Sequence, residues 1–322
     1  MGSLQLNTKQ GIVIQQNSGY YHVLYEDRSI SCSLSSDLVL QKRSNRQKKD
    51  PIGNPIIVAV GDNVSFVEHD NQTGVICAIQ PRQNQFSRRA ASPKNFGYES
   101  EQVIATNIDL AIPVIAAASP APTWNMLDRF LVIAEANGLA ALICINKIDL
   151  LDEQDKDLLQ TIAEYRQIGY PVLLVSAKTN QGLKELKQIL KGKRSIFMGK
   201  SGVGKTSLLN AIQPGLGKRV KEVGQGNLQR GKHTTTCTEI FPLDIGGFVM
   251  DTPGMRELGL WNIDDSSLAE CFPEMRLLIG GCRFGLSCRH DEEPGCLIRK
   301  AVMEGRISPR RYKSYIRMKK SS

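Results

Sequence analysis

Two groups of residues in this chain have the types and spacing that nucleotide chemistry needs. The first is Gly199-Lys200-Ser201-Gly202-Val203-Gly204-Lys205-Thr206, with Ser207 next, which fits the phosphate-cradling pattern G-x-x-x-x-G-K-[ST]. Glycines there let successive backbone N–H groups turn inward on phosphates, and the following helix start adds partial positive charge. Lys205 is expected to reach the β- and γ-phosphates, and the Thr206 hydroxyl to ligate Mg²⁺. The second group is Asn146-Lys147-Ile148-Asp149 and Ser176-Ala177-Lys178. They match the N-K-x-D and S-A-K loops that read guanine. The Asp149 carboxylate can accept hydrogen bonds from the N1–H and exocyclic amine of guanine. Adenine offers no such donor pair, and a site built around those bonds rejects a base that lacks them. Lys147 is expected to lie over the base, Asn146 to tie its loop to the phosphate loop, and the S-A-K backbone to meet guanine O6.

Asp251-Thr252-Pro253-Gly254 fits D-x-x-G, in which Asp251 holds Mg²⁺ through water and the Gly254 amide senses the γ-phosphate. Thr234-Thr235-Thr236, after His233, is the candidate for the switch segment that completes the Mg²⁺ shell, with Thr235 the chosen ligand. The motif order is rearranged. GTPases ordinarily run phosphate loop, switch threonine, D-x-x-G, N-K-x-D, S-A-K, whereas here the two base-reading loops come first. Joining the old termini across Lys191-Gly192-Lys193, a short and flexible joint, and cutting after D-x-x-G gives this order with every strand kept. Switch II then runs straight into whatever follows it.

A third constellation has a different chemistry. Cys282-x5-Cys288-x-His290-x5-Cys296 offers three thiolates and one imidazole within 15 residues, the donor set of a closed structural zinc site. Cys32, Cys77, Cys144 and Cys237 lie in apolar or strand-like settings and read as inert thiols.

The elements that must position these residues are legible in outline. The chain has 322 residues, 41% of them apolar and 23% charged, room for two or three globular domains. No stretch is long and apolar enough to span a bilayer, and the start lacks a secretory layout, so a cytoplasmic protein is expected. The net charge of +9 is uneven: +3 in residues 1–100, −2 in 101–296 and +8 in 297–322, which points to a polyanion-binding end. Five short strand patterns between residues 9 and 80 suit a small closed barrel, of OB type or SH3-like. The basic stretch Gln41–Lys49 reads as a nucleic-acid-binding loop, and Pro81–Ser100 as a basic linker. From Asn107 strands and helices alternate, the pattern of a mostly parallel α/β sheet with helices on both faces. Beyond the cysteines, Leu297–Gly305 and Arg310–Lys320 read as helices. Arg310, Arg311, Lys313, Arg317, Lys319 and Lys320, interleaved with Tyr312 and Tyr315, read as a basic stacking surface for RNA.

Taken together, these motifs resemble the ribosome small-subunit-dependent GTPases (RsgA, also called YjeQ). Gly61-Asp62-x-Val64, Leu127-Asp128-Arg129-Phe130-Leu131, the base-reading and phosphate loops, His233–Thr236, Asp251–Gly254 and the Cys/His cluster carry the resemblance. Two places depart: the first gap of that cluster is one residue longer than in typical members, and Ala116-Ala117-Ala118 is plainer than the usual strand end. The resemblance covers nearly the whole length. It implies an OB-type barrel with a basic linker over 1–100, a circularly permuted GTPase domain over 101–258 and a zinc-binding domain with a basic helical tail over 259–322. It further implies hydrolysis of GTP to GDP, stimulated by the 30S subunit and its 16S rRNA late in assembly and coupled to release, by a monomer holding one Zn²⁺ and using Mg²⁺ with GTP. A non-ribosomal RNA-binding regulator that uses GTP as a switch is the alternative.

The hydrolytic step has its own expectation. Ras-like proteins orient the attacking water with a Gln just after D-x-x-G; here that position is Met255, whose thioether donates no hydrogen bond. Gly202 stands where potassium-dependent GTPases carry Asn. His233, beside the switch threonines, is the nearest polar candidate, and the family places a His there too.

Overall fold

A computed structural model describes residues 7–17, 19–40, 58–89, 101–151, 155–217, 239–251, 263 and 267–320. The loop 41–49, His233 to Thr236, Cys237, Gly254 and Met255 lie outside them.

The N-terminal strands are β1 (Lys9–Asn17), β2 (Tyr20–Tyr25), β3 (Arg28–Leu34), β4 (Asn63–Glu68) and β5 (Thr73–Ile79). They close into a barrel of order β1-β2-β3-β5-β4, with β4 back on β1 and β3 parallel to β5. Alternate residues point inward, so Val13, Val23, Ile30, Val64, Phe66 and Ile76 fill the interior completely shielded from solvent. Gly11 has a reason to lack a side chain, since a Cβ there would sit 2.4 Å from Val23 Cγ1 and 2.7 Å from the Leu24 carbonyl. The barrel is of OB type, as the fold class implied.

Part of the expected linker is ordered. Gln85–Arg89 (β6) pairs antiparallel with Glu101–Thr106 (β7). Composition hid this strand, because its polar residues give no alternating signal. The ribbon meets the barrel at buried Asp62, which accepts from the Ala59 amide (2.8 Å), Thr106 Oγ1 (2.8 Å) and both Nε and Nη2 of Arg82 (2.8 Å each). Gly61 adopts φ +95°, and a Cβ on it would lie 2.2 Å from the Thr106 carbonyl, so the Gly-Asp pair serves this junction.

The central sheet runs β11 (Val172–Leu174), β10 (Ile143–Asn146), β8 (Leu110–Ala116), β12 (Arg194–Met198), β14 (Phe248–Asp251), β13 (Ile240–Pro242), with the short β9 (Ala140–Ala141) beside β8. All pairs are parallel except β13 with β14. Every residue of β8 is buried, and its alternate side chains feed two cores. Ala111 and Ile115 face a layer holding helices α1 (Trp124–Ala136) and α2 (Lys156–Ile168). Leu110, Ile112 and Val114 face a layer holding α3 (Leu183–Leu190) and α4 (Lys205–Ile212). The joint 191–193 is short, as expected, yet it is pinned: Gly192 N donates to the Gly246 carbonyl (3.1 Å) and Phe248 N to the Lys193 carbonyl (2.8 Å).

The C-terminal module has a third core around Phe272, Met275, Ile298 and Tyr315, and contains α5 (Pro273–Arg276), α6 (Leu297–Met303) and α7 (Pro309–Lys319). Here the expected basic surface needs correction. Arg311 and Tyr315 are buried, Lys319 nearly so, and Arg310 is largely covered. Arg311 bridges Asp128 of α1 (2.7 Å) and Glu274 of α5 (2.7 Å), while Arg310 meets Glu164 and the Tyr165 hydroxyl of α2. Cations on the inner face of α7 are thus matched by carboxylates of the body. Lys313, Arg317 and Lys320 alone of the named residues are fully outward, beside a groove with half-buried Tyr312 and Ile316. Burial and the Asp128 carboxylate push the Tyr165 hydroxyl well up, so it remains a donor to Asp128 (2.6 Å).

Candidate functional site

In a parallel sheet every strand delivers its carboxyl end to the same edge, which is where open α/β folds build their sites. Asn146 closes β10, Ser176 follows β11, Gly199 follows β12 and Asp251 closes β14. Residues up to 105 positions apart therefore reach one rim.

The phosphate-type loop joins β12 to α4, with Gly202 at φ +87° and Gly204 at φ +91°. A Cβ on Gly204 would stand 2.5 Å from Asn146 Nδ2, and one on Gly199 2.6 Å from the Val114 carbonyl. These glycines are set by close approach as well as by turn geometry. Lys205 Nζ folds back to the Gly199 carbonyl at 2.5 Å, and Thr206 and Ser207 lie exposed in the first turn of α4. Lys200 and Ser201 form the outer bend of the loop; Val203 is buried beneath it.

Asn146 is nearly inaccessible and fastens two loops at once. Its Nδ2 donates to the Val203 carbonyl (3.0 Å) and its Oδ1 accepts from Ala177 N (3.2 Å). Lys147 takes a left-handed conformation, φ +65°, and its ammonium reaches the Ser119 carbonyl. Asp149 is the middle residue of a 3₁₀ turn (Ile148–Leu150), and buried Ser176 donates to its Oδ1 at 2.6 Å while exposed Lys178 lies 4.0 Å from Oδ2. Ser176 Oγ in turn accepts from Thr179 N at 3.1 Å. The carboxylate is thereby oriented with one oxygen engaged, a geometry that can receive a planar pair of base donors.

The Cys282, Cys288, His290 and Cys296 donor atoms all lie within 4.8 Å of one another, and all four residues are buried. His290 Nδ1 is 3.6 Å from both Cys282 Sγ and Cys296 Sγ. Zn–S of about 2.3 Å and Zn–N of about 2.0–2.1 Å in a tetrahedron require an S···N edge of about 3.6 Å. Backbone amides of Leu297 (3.3 Å) and Arg299 (3.5 Å) donate to the Cys282 and Cys296 sulfurs, as thiolates need. Burial, helped by Lys319, holds His290 below its ordinary pKa, so the ring is neutral at pH 7 and able to ligate. The residues fit a metal ion.

Residues 79–261 match the model of the RsgA GTPase family, more than half of the chain. This chain belongs to the RsgA GTPase family. A protein of Gemmatimonas aurantiaca named small ribosomal subunit biogenesis GTPase RsgA is 40% identical over 312 residues, 96% of each chain. The protein of that name from Bacteroides fragilis is 35% identical, again over 96% of each. Among solved structures, YjeQ from Thermotoga maritima superposes with a TM-score of 0.75 at 32% identity, covering 98% of both chains. YloQ, described as a circularly permuted GTPase, gives 0.71 at 30% identity over 100% of this chain and 97% of that one. The activity of an RsgA-family GTPase is GTP hydrolysis, and among the described residues N-K-x-D, S-A-K, the phosphate loop and Asp251 follow the permuted order on this sheet.

One part of the site escaped sequence reasoning. The loop after β8 carries the Ser119 carbonyl that holds Lys147, and Pro120 Cδ lies 3.7 Å from where a Gly202 side chain would begin. Its only sequence signal is Ser-Pro-Ala-Pro after a buried strand. That loop lies beside both the phosphate-type loop and Lys147.

Proposed function

We propose that the chain hydrolyses GTP on the small (30S) ribosomal subunit late in that particle's maturation, with the particle stimulating hydrolysis and hydrolysis releasing the enzyme. The whole-length likeness to relatives named for small-subunit biogenesis carries this reading. In it, Asp149 and the Ala177 region read guanine, Lys147 covers the base, and Gly199 to Ser207 hold the phosphates. Thr206, Thr235 and Asp251 hold Mg²⁺, which offsets phosphate charge. Cys282, Cys288, His290 and Cys296 hold one structural Zn²⁺, which keeps the C-terminal module folded. The barrel and the outward face Lys313, Arg317 and Lys320 meet 16S rRNA phosphates, with Tyr312 the stacking group. The enzyme works as a cytoplasmic monomer; no helix among the described residues is long and apolar enough to cross a membrane.

The water is oriented by His233, whose imidazole needs no early proton removal to do so, and the attack geometry forms when the particle is bound. The test is turnover with purified 30S, 50S or free RNA. Strong stimulation by 30S alone is expected; its absence would favour the RNA-binding regulator. His233→Ala should remove most of the stimulated rate while GTP and 30S binding persist. Loss of 30S binding with intact turnover per bound complex would make His233 an anchor.

A further inference from the structure

The join between α7 and the GTPase body is built at the first turns of α1, the helix that follows the loop after β8. Three contacts grip it. Arg311 donates to Asp128 Oδ1 at 2.7 Å with both residues inaccessible to solvent. Ser314 Oγ lies 3.1 Å from Asn125 Oδ1, and the Arg310 guanidinium packs over Trp124 and Tyr165, 5.6 Å and 4.8 Å from their ring centroids. On its other side α7 holds the knuckle by its backbone. Tyr312 donates to the His290 carbonyl (2.7 Å), and Tyr315 (3.2 Å) and Lys319 (2.5 Å) donate to the Arg289 carbonyl.

A route of packed pieces thus runs from the knuckle through α7 and α1 to residues 117–123, which hold Lys147 and lie beside Gly202 of the phosphate loop. It is separate from the covalent connection through 252–262. The Arg311 fork is shared between Asp128 and Glu274 in a buried, packed site. Such a site has discrete arrangements rather than a continuum, so movement of α7 must either carry α1 along or break the pair.

We propose that the Asp128–Arg311 pair is a positioning element for GTP hydrolysis: it transmits engagement of the C-terminal module to the 117–123 loop beside the nucleotide site. This rests on the reading of the chain as a 30S-stimulated GTPase. By reciprocity, nucleotide at the site must also alter the α7–knuckle contact.

The test uses the full-length, zinc-loaded chain and two variants. Arg311→Lys keeps a buried cation but loses the planar fork that donates from Nη1 to Asp128 and from Nε and Nη2 to Glu274. The triple variant Asp128→Asn, Glu274→Gln, Arg311→Met removes the pair with groups of similar size; it keeps an amide oxygen for the Tyr165 hydroxyl and leaves Arg310 on Glu164, the kind of exchange that preserves folding. Both should keep zinc, 30S affinity and unstimulated turnover, and lose about tenfold or more of the 30S stimulation in kcat with little change in KM. In the parent chain, a non-hydrolysable GTP analogue should slow amide exchange at 289–291, and this protection should vanish in both variants. That second readout needs no ribosome, so an absence of 30S stimulation in the parent would sink the functional reading and leave the inference still tested. Full stimulation together with retained protection in the folded triple variant would overturn the proposal and assign coupling to the covalent connection.

Discussion

The base-reading loops and the Cys/His knuckle both converge several polar groups on one point, by opposite means. Asn146 touches partners 57 and 31 positions away, and Asp149 is oriented by Ser176 from 27 positions away. The knuckle brings Cys282 and Cys296 to His290 across 8 and 6 positions. The first site exists because a parallel sheet has already closed those long loops, and it inherits that sheet's stability. The second closes short loops at small entropic cost, yet it has no sheet beneath it and needs an ion to hold three thiolates together. One site is therefore a consequence of the fold and the other is a cause of it.

The largest effect that bears on this contrast comes from the knuckle. Cys288→Ser should lose the metal, forfeiting much of the roughly 10–16 kcal/mol with which such sites bind zinc. The C-terminal module should then become protease-sensitive while guanine nucleotide still binds, its affinity shifted by no more than the coupling between the sites, about 5- to 150-fold. Metal analysis, limited proteolysis and nucleotide titration check this, and a parallel collapse of nucleotide affinity would erase the distinction between the two sites. Next in size is Asp149→Asn. Its amide presents a donor toward the base, so GTP preference should fall by about 10⁴-fold, the scale on which hydrogen-bonding pockets discriminate. Xanthine nucleotides should enter instead, and unchanged preference for GTP would remove Asp149 from base reading. Smaller again is Asn146→Ala, which deletes the bond to Val203 and the bond to Ala177. At about 0.5–1.5 kcal/mol per hydrogen bond, more if the buried groups stay unpaired, nucleotide affinity should drop roughly 10- to 100-fold. Zinc content should not change; loss of zinc would show that folding of the knuckle depends on the sheet.

Much of this was readable from residues in a row. The phosphate loop, N-K-x-D, S-A-K and the Cys/His spacing are local patterns, and each demands particular backbone or donor chemistry that few other sequences satisfy. The alternation of strands and helices from Asn107 followed from apolar patterning, and the permutation followed from motif order alone. Three things did not. The strand Gln85–Arg89 is polar and pairs across an eleven-residue separation from Glu101, so nothing local marked it. The loop at Ser119 and Pro120 matters only because β8 lies beside β10 and β12. The charge of α7 read as one continuous basic surface, whereas packing against Asp128, Glu164 and Glu274 buries part of it and leaves Lys313, Arg317 and Lys320 outside. The sequence by itself determined which chemical groups the chain owns and which short loops carry them. Only the tertiary structure decided which charges face solvent and which join two domains, because a carboxylate 183 positions from Arg311 is invisible until α1 and α7 meet.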